Sequence, residues 1–377
     1  MILNKKRLLF LSGTRADFGK LKSLMSICEN SDMYDVLIFA TGMHMHHQYG
    51  YTVNEIEKSG FRHIYKFINY TSESSMDLTM AKTIEGLSAY VREEKPDLIV
   101  VHGDRVEALA GAIVGALNNI LVAHIEGGEV SGTIDELIRH SVSKMSHIHF
   151  VSNDSAKRRL IQMGECEDFI FIIGSPDIDV MFSHDLPTLG QVKKYYDITF
   201  EEYAIVMFHP VTTEEHLMID ASNQLVESLI QSNKNYVIIF PNNDLGSRHI
   251  IYTYEKLKHN DKFKIFPSLR FEYFLVLLKN SLFLLGNSSA GIREAPHYGI
   301  PSINIGTRQL NRALNAEIIN TSYHSTDILR GIQMALDNGP YEGKHLFGKG
   351  ESDKLFLKAL NTAQLWNIPK QKVFKDF

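Results

Sequence analysis

Along most of the chain, short apolar runs alternate with stretches of helical periodicity, and the apolar runs tend to end in polar or glycine-rich bursts. In the first half, Arg7–Leu11, Val36–Ala40, Leu98–Val101, Ile120–Ala123, His147–Val151 and Phe169–Ile173 predict strands. The intervening stretches Phe18–Cys28, Val53–Ser59, Asp77–Glu93, Glu107–Leu117, Glu136–Met145 and Asp154–Met163 predict helices. Apolar strands separated by helical patterns imply parallel βαβ units. Met163-Gly164 reads as a helix stop, since glycine tolerates a left-handed cap. Residues 176–188 hold two prolines and no clear strand, and mark a seam between a first domain, 1–176, and a second, 188–352. The pattern restarts with strands at Ala204–Phe208, Tyr236–Phe240, Lys262–Phe266, Leu282–Leu285 and Ser302–Ile305. Helices are expected at Glu214–Ser232, Ser247–His259, Phe271–Asn280, Gly291–His297 and Asp327–Asp337. A last helical pattern, Asp353–Ala363, opens a tail (353–377) that can cross back onto the first domain. The expected class is α/β, with two doubly wound domains whose carboxyl-end loops line a cleft between them.

Bulk properties narrow the function. A length of 377 residues exceeds one ordinary core, at roughly 150 residues per domain. The net charge of −5 and the lack of a sustained basic block argue against a nucleic-acid surface. Cys28 and Cys166 alone make no disulfide framework and fit a reducing, cytoplasmic setting. The apolar run near the N-terminus is too short for a signal peptide, and no run approaches the roughly 18 residues of a membrane span.

The candidate chemistry sits in the bursts. Leu98–Val101 leads into His102-Gly103-Asp104-Arg105, and Ile120–Ala123 into His124-Ile125-Glu126-Gly127-Gly128-Glu129, followed by Gly132-Thr133-Ile134-Asp135. Buried parallel strands need apolar residues, so Asp104, Glu126 and Asp135 stand out as catalytic candidates. Paired carboxylates divide acid and base roles when their surroundings separate their pKa values. Asp135 also suits an N-cap ahead of Glu136.

Gly13–Lys20 is neither a dinucleotide fingerprint nor a P-loop, because G-x-G-x-x-G is absent and Leu21 follows Lys20. It is either an ordinary turn or an anion site to which Arg15 adds charge. Gly286-Asn287-Ser288-Ser289-Ala290-Gly291 holds the corresponding place in the second domain. Small residues there let a ligand approach the backbone, and the hydroxyls of Ser288 and Ser289 suit phosphate oxygens. Glu294 suits ribose hydroxyls, Arg308 a phosphate, and Asn242 a base or ribose. His209 is either a phosphate donor or acid, or a strand-end histidine capped by backbone. His44, His46 and His47 lack zinc-ligand spacing and a cysteine partner, so no metal is assigned; they are expected on the surface or lining the cleft.

The segments GTRADFGK, HGDR, HIEGGEVSGTIDELIRHSVSKMSH, FHPVTTE, GNSSAGIRE and INIGTRQ, in that order from Gly13 to Gln309, resemble the hydrolysing UDP-N-acetylglucosamine 2-epimerases of sialic acid synthesis. The resemblance implies two Rossmann-like domains in a GT-B-like arrangement with an interdomain active site. It matches Asp104, Glu126 and Asp135 to catalytic acids and His209 to a histidine near the diphosphate. It matches Arg15, Arg105, Asn242, Ser288, Ser289, Glu294 and Arg308 to nucleotide-binding positions. Gly19 and Glu136 depart from the serine and aspartate of some members. A homodimer or homotetramer, a UDP-sugar substrate and no cofactor are further implications. The implied reaction expels UDP to give a glycal and then hydrates it with inversion at C2. Two rivals remain. A non-hydrolysing epimerase typically carries His-Arg-Arg-Glu-Asn where this chain has His209–Thr213, and enzymes acting on a 2,4-diacetamido-trideoxy sugar tend to have His-Gly-Gly-Glu at Glu126–Glu129.

Overall fold

A computed structural model describes residues 5–70, 75–131, 134–183, 185–309, 318–344, 346–373 and 375. Gly132 and Thr133 of the second polar burst, and the last residues of the tail, lie outside the described residues. The chain gathers into two compact units, one of residues 1–129, 135–183 and 347–377, the other of residues 130–134 and 184–346.

The first unit is built on a seven-stranded sheet. Its strands are β1 (Lys6–Ser12), β2 (Tyr34–Ala40), β3 (His63–Lys66), β4 (Leu98–His102), β5 (Leu121–Ile125), β6 (Ile148–Val151) and β7 (Ile170–Ile172). Their order is β3-β2-β1-β4-β5-β6-β7, and neighbours pair in parallel. Leu8, Phe10, Ile38, Val100 and Phe150 are fully buried, as a sheet covered on both faces requires. The chain runs outward from β1 in both directions, so the strand order reverses between β1 and β4. The loops after these two strands therefore part around a crevice at the carboxyl end of the sheet.

The second unit repeats the plan with β8 (Ala204–Met207), β9 (Tyr236–Ile239), β10 (Phe263–Phe266), β11 (Leu284–Gly286), β12 (Ser302–Ile305) and β13 (Ile318–Thr321). The order β10-β9-β8-β11-β12-β13 is again parallel, with its reversal between β8 and β11.

Several elements differ from the sequence pattern. The edge strands β3 (HIYK) and β13 (IINT) escape it because half of each four-residue run is polar, so neither forms a continuous apolar stretch. The seam begins with a helix, Pro176–Met181, with proline at its first turn, where the missing N–H costs nothing. Asp179 on this helix accepts from the backbone N–H groups of Ser352 and Asp353, both at 2.9 Å, and so caps the helix Ser352–Leu360 from another element. That helix buries Phe356 against Phe10 and Phe150, with ring centroids at 6.3 and 4.7 Å.

The helix expected over 214–232 starts at Met218. A 3-10 segment, Thr212–Leu217, precedes it, kinked at Glu214 (φ −120°). Thr307 and Tyr323 hold the Glu214 carboxylate at 2.7 Å each, which fixes the kink. The helix expected over 291–297 is likewise broken into a 3-10 turn, Ser289–Gly291, and a four-residue helix, Glu294–His297. Among the described residues no helix is long and apolar enough to cross a membrane.

Candidate functional site

In the first unit the loops after β1, β4 and β5 carry a linked set of buried charges. Thr14 caps the helix Arg15–Glu29 by accepting from the Asp17 N–H at 3.1 Å. This turns the Asp17 carboxylate back toward the strand, where Oδ2 accepts from the Gly13 N–H at 3.1 Å. Oδ1 of Asp17 meets Nδ1 of His102 at 2.5 Å, across the β1/β4 reversal. On its other side, Nε2 of His102 lies 3.2 Å from Oε2 of Glu126. Burial alone would lower the His102 pKa, but the carboxylates of Glu126 and Asp17 outweigh it and hold it up at about 10. At neutral pH His102 is thus an imidazolium between two carboxylates.

Glu126 is 5% exposed, and Ser175 donates to its Oε1. Its backbone adopts φ +64°, a left-handed conformation costing roughly 1–3 kcal/mol for a residue with a side chain. The preceding β5 contributes His124, fully buried, whose Nε2 donates to the Gly103 carbonyl at 2.8 Å. With that proton on Nε2, Nδ1 accepts from the Ser143 hydroxyl at 2.9 Å. Burial pushes the His124 pKa down to about 3, so the ring stays neutral. It fixes Gly103, whose φ of +69° turns the chain toward Asp104.

Arg139 joins the three predicted acids. Its guanidinium donates to Asp104 Oδ2 and is 4% exposed. Burial works against its charge, but the carboxylates of Asp104, Glu129, Glu126 and Asp135 raise its pKa. Asp104, Glu126 and Asp135 therefore converge electrostatically on one buried cation. Asp135 lies inside the first turn of the helix Ile134–Met145, so the expected N-cap role is corrected: the helix begins before it. Arg105 is the N-cap residue of the helix Val106–Leu117, and its Nε lies 3.8 Å from Oε2 of buried Glu107. Arg15 opens its own helix and is half-buried.

The expectation that His44 lies on the surface or lines the cleft is also corrected. It is fully buried between the hydroxyls of Ser12 (2.9 Å) and Thr52 (2.7 Å), and burial lowers its pKa to about 4. His46 packs on Tyr70 and His47 stacks on Tyr51.

In the second unit the loops after β8 and β11 are joined by an asparagine side chain. Asn287, after β11, clamps the backbone of His209, after β8. Its Oδ1 accepts from the His209 N–H at 2.7 Å, and its Nδ2 donates to the His209 carbonyl at 2.8 Å. Nδ1 of His209 accepts from the Asn242 N–H at 3.0 Å, so the neutral ring carries its proton on Nε2. The Asn287 carbonyl accepts from Arg308 Nη1 (3.2 Å) and Gln309 Nε2 (3.0 Å).

Gly286, at φ +139°, would set a Cβ 2.0 Å from the Met207 carbonyl oxygen, so only glycine lets the two strands part here. Ser288 caps the 3-10 turn by accepting from the Ala290 N–H at 3.3 Å, and Ser289 is half-buried. The turn replaces the expected helix N-terminus. Glu294, 2% exposed, opens the short helix after it instead of standing one turn in.

Sequence pattern alone does not single out Asp17, His102, Arg139, Ser175 or Asn287. Asp17 and His102 lie within the quoted segments, but only the strand order makes them neighbours. Arg139 reads as one more polar position on a helix.

Comparison with known proteins agrees with this architecture. Residues 26–361 match the family model described as UDP-N-acetylglucosamine 2-epimerase. The UDP-N-acetylglucosamine 2-epimerase of Neisseria meningitidis is 50% identical over 375 residues, covering 98% of this chain and 99% of that protein. The UDP-N,N'-diacetylbacillosamine 2-epimerase (hydrolyzing) of Legionella pneumophila is 32% identical over 365 residues, covering 96% and 97%. Among solved structures, the UDP-GlcNAc 2-epimerase of Methanocaldococcus jannaschii, in complex with UDP-GlcNAc and UDP, shares the fold with a TM-score of 0.80 at 23% identity, covering 94% of this chain and 99% of that one. Together with the two parallel α/β units and their reversal-point loops, these matches establish that the chain belongs to the UDP-N-acetylglucosamine 2-epimerase family.

Proposed function

We propose that this protein is a hydrolysing UDP-N-acetylglucosamine 2-epimerase, converting UDP-GlcNAc and water to N-acetylmannosamine and UDP, the first step of sialic acid synthesis. The observation that carries the reading is the cluster of buried charge in the first unit, where Arg139 donates to Asp104 and His102 lies 3.2 Å from Glu126, with the charges of Glu126 and Asp135 also acting on Arg139.

The C2 proton of the sugar is not acidic, because no carbonyl is attached to C2. Breaking C1–O develops an oxocarbenium ion and makes C2–H acidic. The second unit stabilises the departing diphosphate through Ser288, Ser289, Arg308 and the Nε2–H of His209, while Asn242 and Glu294 hold the nucleoside. Arg15 and Arg105 add positive charge from the first unit. Glu126 and Asp104 form the acid/base pair at C2: loss of C2–H with C1–O cleavage gives a glycal and UDP. Asp135 assists water, whose hydroxyl adds to C1 while a proton returns to C2 on the opposite face. Elimination and hydration together leave no net redox change, so the scheme uses no electron acceptor.

The hydrolysing reading is supported by the missing His-Arg-Arg-Glu-Asn run at His209–Thr213. The Legionella relative, whose name carries both hydrolysis and a diacetamido sugar, motivates the second reading, a UDP-2,4-diacetamido-trideoxy sugar as substrate. Chromatography of reactions with each UDP-sugar separates the two. UDP and free N-acetylmannosamine from UDP-GlcNAc support the first reading. Turnover confined to the diacetamido sugar would replace it with the second.

A further inference from the structure

The mechanism above uses Glu126 as a base but leaves the buried groups behind it without a task. Asp17, on the helix after β1, and His102, at the end of β4, meet across the strand-order reversal at 2.5 Å, and His102 reaches Glu126 at 3.2 Å. Asp17 is itself fixed twice, by the Gly13 N–H on its carboxylate and by Thr14 on its own N–H. All three side chains are nearly buried, at 9%, 11% and 7% exposure.

The other titratable or charged groups around the chain of contacts come from every neighbouring element. His124 on β5 faces His102 and stays neutral. Arg139 acts on Glu126 from its helix. His44, also neutral, and Arg15 lie on the Asp17 side. Glu107 packs against Gly13, its carboxyl carbon 3.3 Å from where a Cβ would stand. Ser175 donates to Oε1 of Glu126, and His102 Nε2 lies 3.2 Å from Oε2.

We propose that Asp17 and His102 form a positioning relay for Glu126, in which Asp17 orients the imidazole and His102 holds the Glu126 carboxylate ionised and aimed for C2 proton removal. In this relay Asp17 and His102 act through Glu126 and not on the sugar. The relay has a physical logic. A carboxylate buried this deeply would tend to take up a proton and cease to be a base. Arg139 counters that tendency from one side and the imidazolium from the other. When Glu126 accepts the C2 proton, the Asp17–His102 pair keeps its net charge near zero, so the buried site does not gain an uncompensated cation.

The relay rests on the reading of Glu126 as the C2 base, and the test separates the two. C2 deuterium exchange, UDP affinity and pH–rate profiles are compared for the full-length protein and for Glu126→Gln, His102→Gln and Asp17→Asn. Glu126→Gln is expected to lose exchange. His102→Gln is expected to lower kcat roughly tenfold or more with UDP affinity within about twofold, and to move the acidic limb upward by roughly one pH unit or more, since a lost cation raises the base's pKa. Asp17→Asn keeps an acceptor for Nδ1–H but removes its charge, and is expected to move the alkaline limb downward. Should His102→Gln not fold, Asp17→Asn and the histidine 15N spectrum of the unmodified protein still decide. That spectrum is expected to contain a ring protonated on both nitrogens at pH 8, which loses this signature in Asp17→Asn. Full exchange in Glu126→Gln would overturn the base assignment and the relay with it. Loss of exchange in Glu126→Gln, with unchanged limbs in the other two variants or no doubly protonated ring at pH 8, would overturn the relay alone.

Discussion

The two units share one plan, a parallel sheet whose strand order reverses beside its first strand, yet they furnish the reversal point with different chemistry. In the first unit the loops meet through charges: Asp17, His102, Glu126, Asp104 and Arg139. In the second the two reversal loops are joined by amides, the Asn287 side chain clamping the His209 backbone and the Asn242 N–H setting the His209 tautomer, and the charged Arg308 donates to the Asn287 carbonyl. Buried carboxylates with unlike neighbours titrate apart and can exchange protons. A rigid amide frame holds donors in place without titrating. In the proposed scheme the charged loops of the first unit carry the proton transfers and the amide-braced loops of the second hold the anion.

Substitutions can break this contrast, and the largest effects belong to the charged side. Glu126→Gln and Asp104→Asn are each expected to lower C2 exchange by roughly 10²–10⁴-fold, as loss of a general acid or base does, with UDP affinity kept. Isothermal titration with UDP beside NMR-detected exchange checks both parts. Arg139→Met leaves buried carboxylates without their cation, and is expected to cost about 3–5 kcal/mol in urea unfolding. Adding Asp104→Asn to it should restore part of that loss, because the uncompensated charge goes with it.

On the neutral side the effect is smaller. Asn287→Ala is expected to weaken UDP binding by about 1.5 kcal/mol or more, over tenfold, with little change in the pH profile of exchange. A strong change in that profile would mean the two units are not divided in this way.

The smallest effect concerns the tail. Glu165 accepts from His149 (2.9 Å), Lys144 (3.1 Å) and Lys372 (2.5 Å). Burial alone would raise its pKa, but His149 and Lys372 outweigh it and hold it near 2. A depressed carboxylate adds stability above its ordinary value of 4.5 that is lost as pH falls toward 2. Glu165→Gln should therefore lower stability at pH 7 and flatten the fall between pH 5 and 3 in urea titrations. Neutral His44 and His124 add to the same fall, starting near pH 6.5, since the unfolded chain takes up protons there first.

Much of the fold was legible in the sequence because parallel strands are apolar on both faces. Leu98–Val101 and Ser302–Ile305 stand out for that reason. The edge strands β3 and β13 do not, since His63, Lys66, Asn320 and Thr321 break their apolar runs. The helix Pro176–Met181 was hidden because proline reads as a breaker unless its first-turn position is known. For the site, Asp104, Glu126 and Asp135 were visible as acids where packing wants apolar residues. Asp17, His102 and Arg139 were not, because their importance comes from strand order and helix packing, which place residues 85 positions apart in contact. Asn287 was quoted within its loop, but an asparagine that clamps a backbone looks the same in sequence as one in an ordinary turn.

The most direct test of the proposed division of labour is proton NMR of the purified protein with UDP-N-acetylglucosamine in heavy water. The proposed reaction yields free N-acetylmannosamine carrying deuterium at C2, together with one equivalent of UDP. Accumulation of intact UDP-N-acetylmannosamine, or a free sugar with hydrogen retained at C2, would contradict it.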